Sequence, residues 1–140
     1  MIYYGTDELP LKERNCDYYF LAGSIDYNAS NPWRESLIKK AKASIHFFDP
    51  TRRDHDSLSH AEMQNHIHWE LEALELSDTI VLHFLRTAKS PISLVELGLY
   101  ARSGKLIVVC PNTFYQRRYI EVLCKKYSIV LCNSLNEVIV

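Results

Sequence analysis

The chain has 140 residues, 47% of them hydrophobic, and 16 Lys and Arg against 17 Asp and Glu give a formal net charge of −1. That is the size and balance of one globular domain able to bury its own core, with no room for a second. Charges of both signs are scattered along the chain, so no basic stripe points to duplex nucleic acid or an anionic membrane, and a small-molecule partner is expected.

Residues 1–17 carry Asp7, Glu8, Lys12, Glu13 and Arg14 and no apolar stretch of signal-peptide length, so a cytoplasmic protein is expected. Residues 1–16 read as an arm without a recognisable element. Beyond it, apolar runs of strand length alternate with stretches of helical period, the order that makes an α/β fold with a parallel sheet covered by helices. Five strands are predicted, at 18–22, 45–48, 79–84, 106–110 and 128–132, most of them continuously apolar, as strands buried on both faces are. The first helix is predicted to start at Pro32, with Asn31 as N-cap, and to end near Ala43. A second spans 59–77. The third follows Ser90 as N-cap and Pro91, and closes at Ser103-Gly104, where glycine suits the left-handed C-terminal conformation. A fourth covers 115–126, and a short one follows Ser134. Cys16, Cys110, Cys124 and Cys132 are far apart and form no Cys-x-x-Cys pair, so they read as reduced core thiols rather than as a disulfide frame or a zinc site.

Ligands of open α/β sheets sit beyond the carboxyl ends of the strands. That rule selects Gly23-Ser24-Ile25-Asp26, Asp49-Pro50-Thr51-Arg52-Arg53-Asp54, and the segments 86–91 and 111–118. On the third helix Ile92, Val95 and Leu99 recur at helical spacing, a face expected to turn to the core, and Glu96 falls on it. A carboxylate there is either satisfied by a backbone group or an arginine, or kept for chemistry. The second helix shows the same departure. Met63, Ile67, Leu71 and Leu74 form its apolar stripe, Glu70 borders it, and Glu72 and Glu75 read as a solvated face. Two acidic groups converging on one pocket are the equipment of glycoside chemistry.

Five segments in order, Phe20-Leu21-Ala22-Gly23-Ser24-Ile25, Trp33, Asp49-Pro50-Thr51-Arg52-Arg53-Asp54, Trp69-Glu70 and Ser90-Pro91-Ile92-Ser93-Leu94-Val95-Glu96-Leu97-Gly98, carry a resemblance. Over residues 18–119 the chain resembles the nucleoside 2-deoxyribosyltransferase-like family, to which nucleoside-monophosphate N-glycosidases are related. The resemblance implies a flavodoxin-like sheet, here of five strands with helices on both faces, and cleavage of an N-glycosidic bond by Glu96 as nucleophile. It gives Glu70 the place of a second catalytic acid, although many relatives carry Asp there. It implies no metal and no organic cofactor, and a homodimer or larger homo-oligomer whose site is finished by a partner subunit. The substrate-binding candidates are Gly23, Ser24, Asp49, Arg52, Arg53, Ser90 and Gly98.

Ser90 matters because deoxyribosyltransferases have Asp at that place for the sugar 5′-hydroxyl, whereas the monophosphate glycosidases have Ser for the 5′-phosphate. A hydroxyl beside free N–H groups at a helix N-terminus suits phosphate, and a plain N-cap is the alternative. Gly23 serves either a close backbone approach to the ligand or a tight turn, and Arg52 and Arg53 either meet phosphate or are solvated. His60, His66 and His68 lack the spacing of a zinc helix, and neither a zinc-deaminase pair of motifs nor a glycine-rich phosphate loop occurs. Three functions stay open: deoxyribosyl transfer or hydrolysis on a nucleoside or its 5′-monophosphate, a non-catalytic nucleotide-binding module, and a glycosidase acting on a larger nucleotide.

Overall fold

The computed structural model describes residues 1–25 and 32–140. Its strands are β1 (Ile2–Tyr4), β2 (Asp17–Gly23), β3 (Ile45–Asp49), β4 (Thr79–His83), β5 (Leu106–Val109) and β6 (Val130–Cys132). Its helices are α1 (Trp33–Lys39), α2 (His60–Leu76), α3 (Pro91–Tyr100) and α4 (Arg117–Lys126), with short 3-10 turns at His55–Ser57 and Leu135–Glu137. The predicted N-cap Asn31 and the loop residue Asp26 lie outside the described residues.

All strands are parallel neighbours in the order β1-β3-β2-β4-β5-β6. Without β1 this is the flavodoxin-like order 2-1-3-4-5. The sheet therefore has six strands rather than the five expected. The arm's Ile2-Tyr3-Tyr4 pairs with Phe47, Phe48 and Asp49, covering an edge of β3 that would otherwise offer unpaired backbone groups. A three-residue strand is too short to show a period in sequence.

The pleat sends alternate side chains to two cores. Tyr18, Phe20, Phe48, Ile80, Leu82, Phe84 and Val108 pack with Leu74 of α2, Leu97 and Tyr100 of α3 and Ile120 of α4. Leu21, Phe47, Val81 and Val109 pack with Trp33 and Leu37 of α1 and with Val138. So α2, α3 and α4 cover one face, and α1 with the C-terminal segment covers the other. No helix among the described residues is long and apolar enough to cross a membrane.

The facing of two helices differs from expectation. On α3 the stripe Ile92, Val95 and Leu99 is 63%, 62% and 59% exposed, and the buried side is Ser93, Glu96, Leu97 and Tyr100. On α2 Ile67 and Leu71 are exposed, whereas His66, Ala73 and Leu74 are buried. Helix α3 is apolar nearly all round, so its period admits two core faces, and the fit of Leu97 and Tyr100 against the sheet decides between them. The boundaries fare better: Ser59 caps α2 in a reciprocal capping box with Glu62.

Truncation tests the facing. Leu97→Ala is expected to lower the unfolding free energy in denaturant melts by about 2–5 kcal/mol. An equal loss for Leu99→Ala in dilute protein would reverse the assignment.

Candidate active site

At the carboxyl edge, Gly23 of β2 and His83 of β4 are register neighbours. From these two strands the chain runs to opposite faces of the sheet, into α1 and α3, which opens a crevice at the topological switch point. Gly23 has φ +144°, and a Cβ there would lie 2.5 Å from the His83 carbonyl oxygen, so glycine is required by both conformation and space. Beside it the Ser24 and Ser90 hydroxyls share a short hydrogen bond. Ser90 is buried and held at φ 54° and ψ 52°, a left-handed conformation that costs a non-glycine residue on the order of 1 kcal/mol. Ser90 is the N-cap residue of α3 with Pro91 following, as expected, but its side chain makes no cap hydrogen bond and its hydroxyl turns to Ser24 instead.

Glu96 is 9% exposed, one turn into α3. Burial pushes its carboxyl up to about 7, the charge of Glu70 pushes in the same direction, and the Arg34 guanidinium partly opposes both. Burial likewise lifts Glu70 to about 7 against the influence of His55 and Arg34. One oxygen of Glu70 lies 3.1 Å from Nε2 of His66, one turn earlier on α2. His66 is itself buried, which lowers its pKa and favours the neutral ring. Both acids are thus raised into the neutral range, and the charge of Glu70 adds to the burial that raises Glu96.

Sequence reasoning missed Arg34. It is 7% exposed, donating from Nε to the Leu21 carbonyl at 3.2 Å and from Nη2 to the Gly23 carbonyl at 3.1 Å. Its Nε lies 3.6 Å from buried Asp49, whose Oδ1 also accepts from the Thr51 N–H at 3.0 Å and its hydroxyl at 2.8 Å. A signal was available: Arg34 sits three and four residues before Leu37 and Ile38, a charge on an apolar helical face. His83 was missed as well. Its ring packs edge-on to Trp33 at 4.8 Å, and burial, aided by Arg34, lowers its pKa to about 4. No helical or strand pattern distinguishes it from other residues of β4.

Next to the crevice lies a cavity of about 1130 Å³, lined among others by Tyr4, Ser24, Trp33, Arg34, Asp49, Arg52 and Arg53. Arg52 is gripped at both nitrogens by Asp54, at 2.7 and 2.8 Å, and Arg53 is exposed. Glu70, Ser90 and Glu96 are not on the cavity wall. They connect to it through Ser24, which bonds Ser90, and through Arg34, whose charge reaches both glutamates. The structure therefore groups Gly23, Ser24 and Ser90 with the two acids, and groups Asp49, Arg52 and Arg53 along the cavity. Gly98 stands apart, exposed on α3, with nothing within 4 Å of where a Cβ would be.

Residues 19–114 match a family described as nucleoside 2-deoxyribosyltransferase like. No curated protein matches the chain.

The acidities imply a pH-dependent stability. A carboxyl raised from 4.5 to about 7 favours folding while protonated, so its contribution is full below about 4.5 and is lost as pH rises through 7. Glu96→Gln should therefore be more stable than the natural chain at pH 8, by roughly 1–3 kcal/mol, with the gap closing toward pH 4.5. Thermal melts of both proteins across this range check it.

Proposed function

Because the chain belongs to the nucleoside 2-deoxyribosyltransferase-like family, we propose that it cleaves or transfers at the N-glycosidic bond of a 2-deoxynucleoside or its 5′-monophosphate. The observation that carries this reading is the pair of buried Glu96 and half-buried Glu70, both raised to about 7 at the switch-point crevice. Glu96, ionised, attacks the anomeric carbon as the bond to the base breaks with oxocarbenium character, forming a glycosyl ester on Glu96. Glu70, protonated, delivers its proton to the departing base. The ionised Glu70 then takes a proton from water or from an incoming base, whose oxygen or nitrogen displaces Glu96 and restores the starting state. Two carboxyls raised to about 7 make both the protonated and the ionised form accessible near neutrality. No step draws on a metal or an organic cofactor.

The pair Ser24 and Ser90 at the N-terminus of α3 supports a 5′-phosphate as the preferred end group. Asp49 and Arg34 frame the adjoining wall, and Arg52 and Arg53 line the far side of the cavity where the base or further substituents fit. We read the chain as one domain working in the cytoplasm, where four free cysteines suit a reducing compartment. We also read it as a homo-oligomer. Helices α2, α3 and α4 cover one side of the sheet and expose Ile67, Leu71, Ile92, Val95, Leu99, Tyr119 and Val122 there, an apolar surface suited to a second copy. Gly98, on the same helix as three of these, then lies within reach of the partner.

A second reading, a nucleotide-binding module without turnover, is favoured by the absence of both glutamates from the cavity wall. Chromatography of each deoxynucleoside and 5′-monophosphate incubated with the protein, with and without an acceptor base, decides between them. Free or exchanged base is expected, with Glu96→Ala slowing turnover at least about a thousandfold. Calorimetric binding without turnover would establish the second reading. Ser90→Asp should raise KM for the monophosphate about tenfold or more while leaving the nucleoside less affected, through repulsion of the phosphate. Activity should peak near pH 7 and fall on both sides, as the pair first gains a second proton and then loses its last.

A further inference from the structure

At the opposite end of the sheet from the crevice, we propose that Glu13, Cys16 and His46 form a binding site for zinc or a similar borderline-soft divalent cation. Their ligand atoms, a carboxylate oxygen, the sulfur and a ring nitrogen, all lie within 4.8 Å of one another. Residues 13 and 16 meet because Asn15 adopts a left-handed φ of 66°, folding the chain back just before β2, so that Sγ comes within 3.9 Å of Glu13 Oε2. The turn is anchored by the Glu13 N–H, which donates to the Tyr18 hydroxyl at 3.0 Å. Strand alternation supplies the third ligand. Cys16 and Tyr18 are two residues apart and share a face, and Tyr18 is the register partner of His46 on β3.

His46 points to a ligand independently of this clustering. It is 8% exposed, its Nδ1 is buried, and that nitrogen has no hydrogen-bond partner. A buried polar atom left in this way is expensive, and the edge-on packing of Tyr18 against the ring, at 4.9 Å between centroids, does not satisfy it. A thiol hydrogen-bonded to a carboxylate would account for Cys16 and Glu13 and leave the imidazole unexplained.

The donor set selects the ion. Sulfur, nitrogen and one oxygen suit Zn²⁺, whereas Mg²⁺ and Ca²⁺ want oxygen throughout. Zinc bond lengths of about 2.0–2.3 Å place tetrahedral donors about 3.5 Å apart, so the three groups, within 4.8 Å of one another, close by at most about 1.3 Å, most of it available from the exposed Glu13 side chain. Water fills the fourth position. On binding, Cys16 releases its proton to solvent and no electron is transferred, and the thiolate and carboxylate together balance the charge of the ion. The ion would fasten the N-terminal arm to the strand that β1 pairs with. This role does not depend on the glycosidic chemistry.

Chelator-treated protein titrated with cobalt(II) should develop a near-ultraviolet thiolate-to-cobalt band that saturates at one equivalent and disappears when zinc(II) is added. Cys16→Ser should lack the band, and His46→Gln should weaken zinc binding by more than the roughly 10- to 100-fold that losing a supporting contact costs. Should a variant fail to fold, the natural chain still decides. Cys16 is the one cysteine that is not buried, and zinc should slow its alkylation tenfold or more. A natural chain without the band, a band that persists in Cys16→Ser, or alkylation indifferent to zinc would overturn the proposal.

Discussion

A guanidinium withdrawn from water has to be surrounded by acceptors, and the arrangement around Arg34 organises the whole carboxyl edge of the sheet. Its nitrogens collect the carbonyls at the end of β2 and approach the carboxylate that ends β3. Those bonds shape the turn at Gly23, and that turn brings Ser24 to Ser90. Remove the acceptors and the charge becomes uncompensated; remove the charge and the Leu21 and Gly23 carbonyls lose a donor and Asp49 keeps only its bonds from Thr51. The same cation bears on Glu70, His83 and Glu96, where burial is the larger cause of each shift, so one group joins the fold to the acidities.

The opposing influences on the two glutamates explain why they are poised rather than simply neutral. Burial drives each carboxyl upward, and Arg34 acts against that drive from the α1 side. Such a site costs stability, as does the left-handed Ser90. Both costs fall at the crevice, while the rest of the sheet keeps an ordinary two-layered apolar core.

The strands were legible to within a residue or two because continuous apolar runs permit no other placement in a sheet covered on both sides. The facing of α2 and α3 was not. A helix apolar on several sides carries no phase information strong enough to choose its buried side, so Glu96 was singled out as a charge on the stripe of Ile92, Val95 and Leu99, which in fact points outward. The residue is buried on the neighbouring side, with Ser93, Leu97 and Tyr100. Gly23, Ser24 and Ser90 were singled out as candidates because strand ends and helix starts mark the switch point in any sequence of this kind. Arg34 obeyed the criterion applied to Glu96, a charge among helically spaced apolar residues, and was passed over. β1 and the meeting of Cys16 with His46 depend on pairing between segments some thirty or more residues apart, which local patterns do not encode.

The crevice draws its charges from two separate layers: Arg34 belongs to the helix on one face of the sheet, and Glu70 and Glu96 belong to helices on the other. Their electrostatic contact passes around the edge where β2 and β4 part. Any small shift of one layer along the sheet alters the distance between the cation and the acids, and Coulomb energies at short range in a poorly screened site are steep in distance. Layer packing in this protein is thereby convertible into proton affinity. Anything that displaced one layer against the other would act as a mechanical input whose output is the charge state of Glu96.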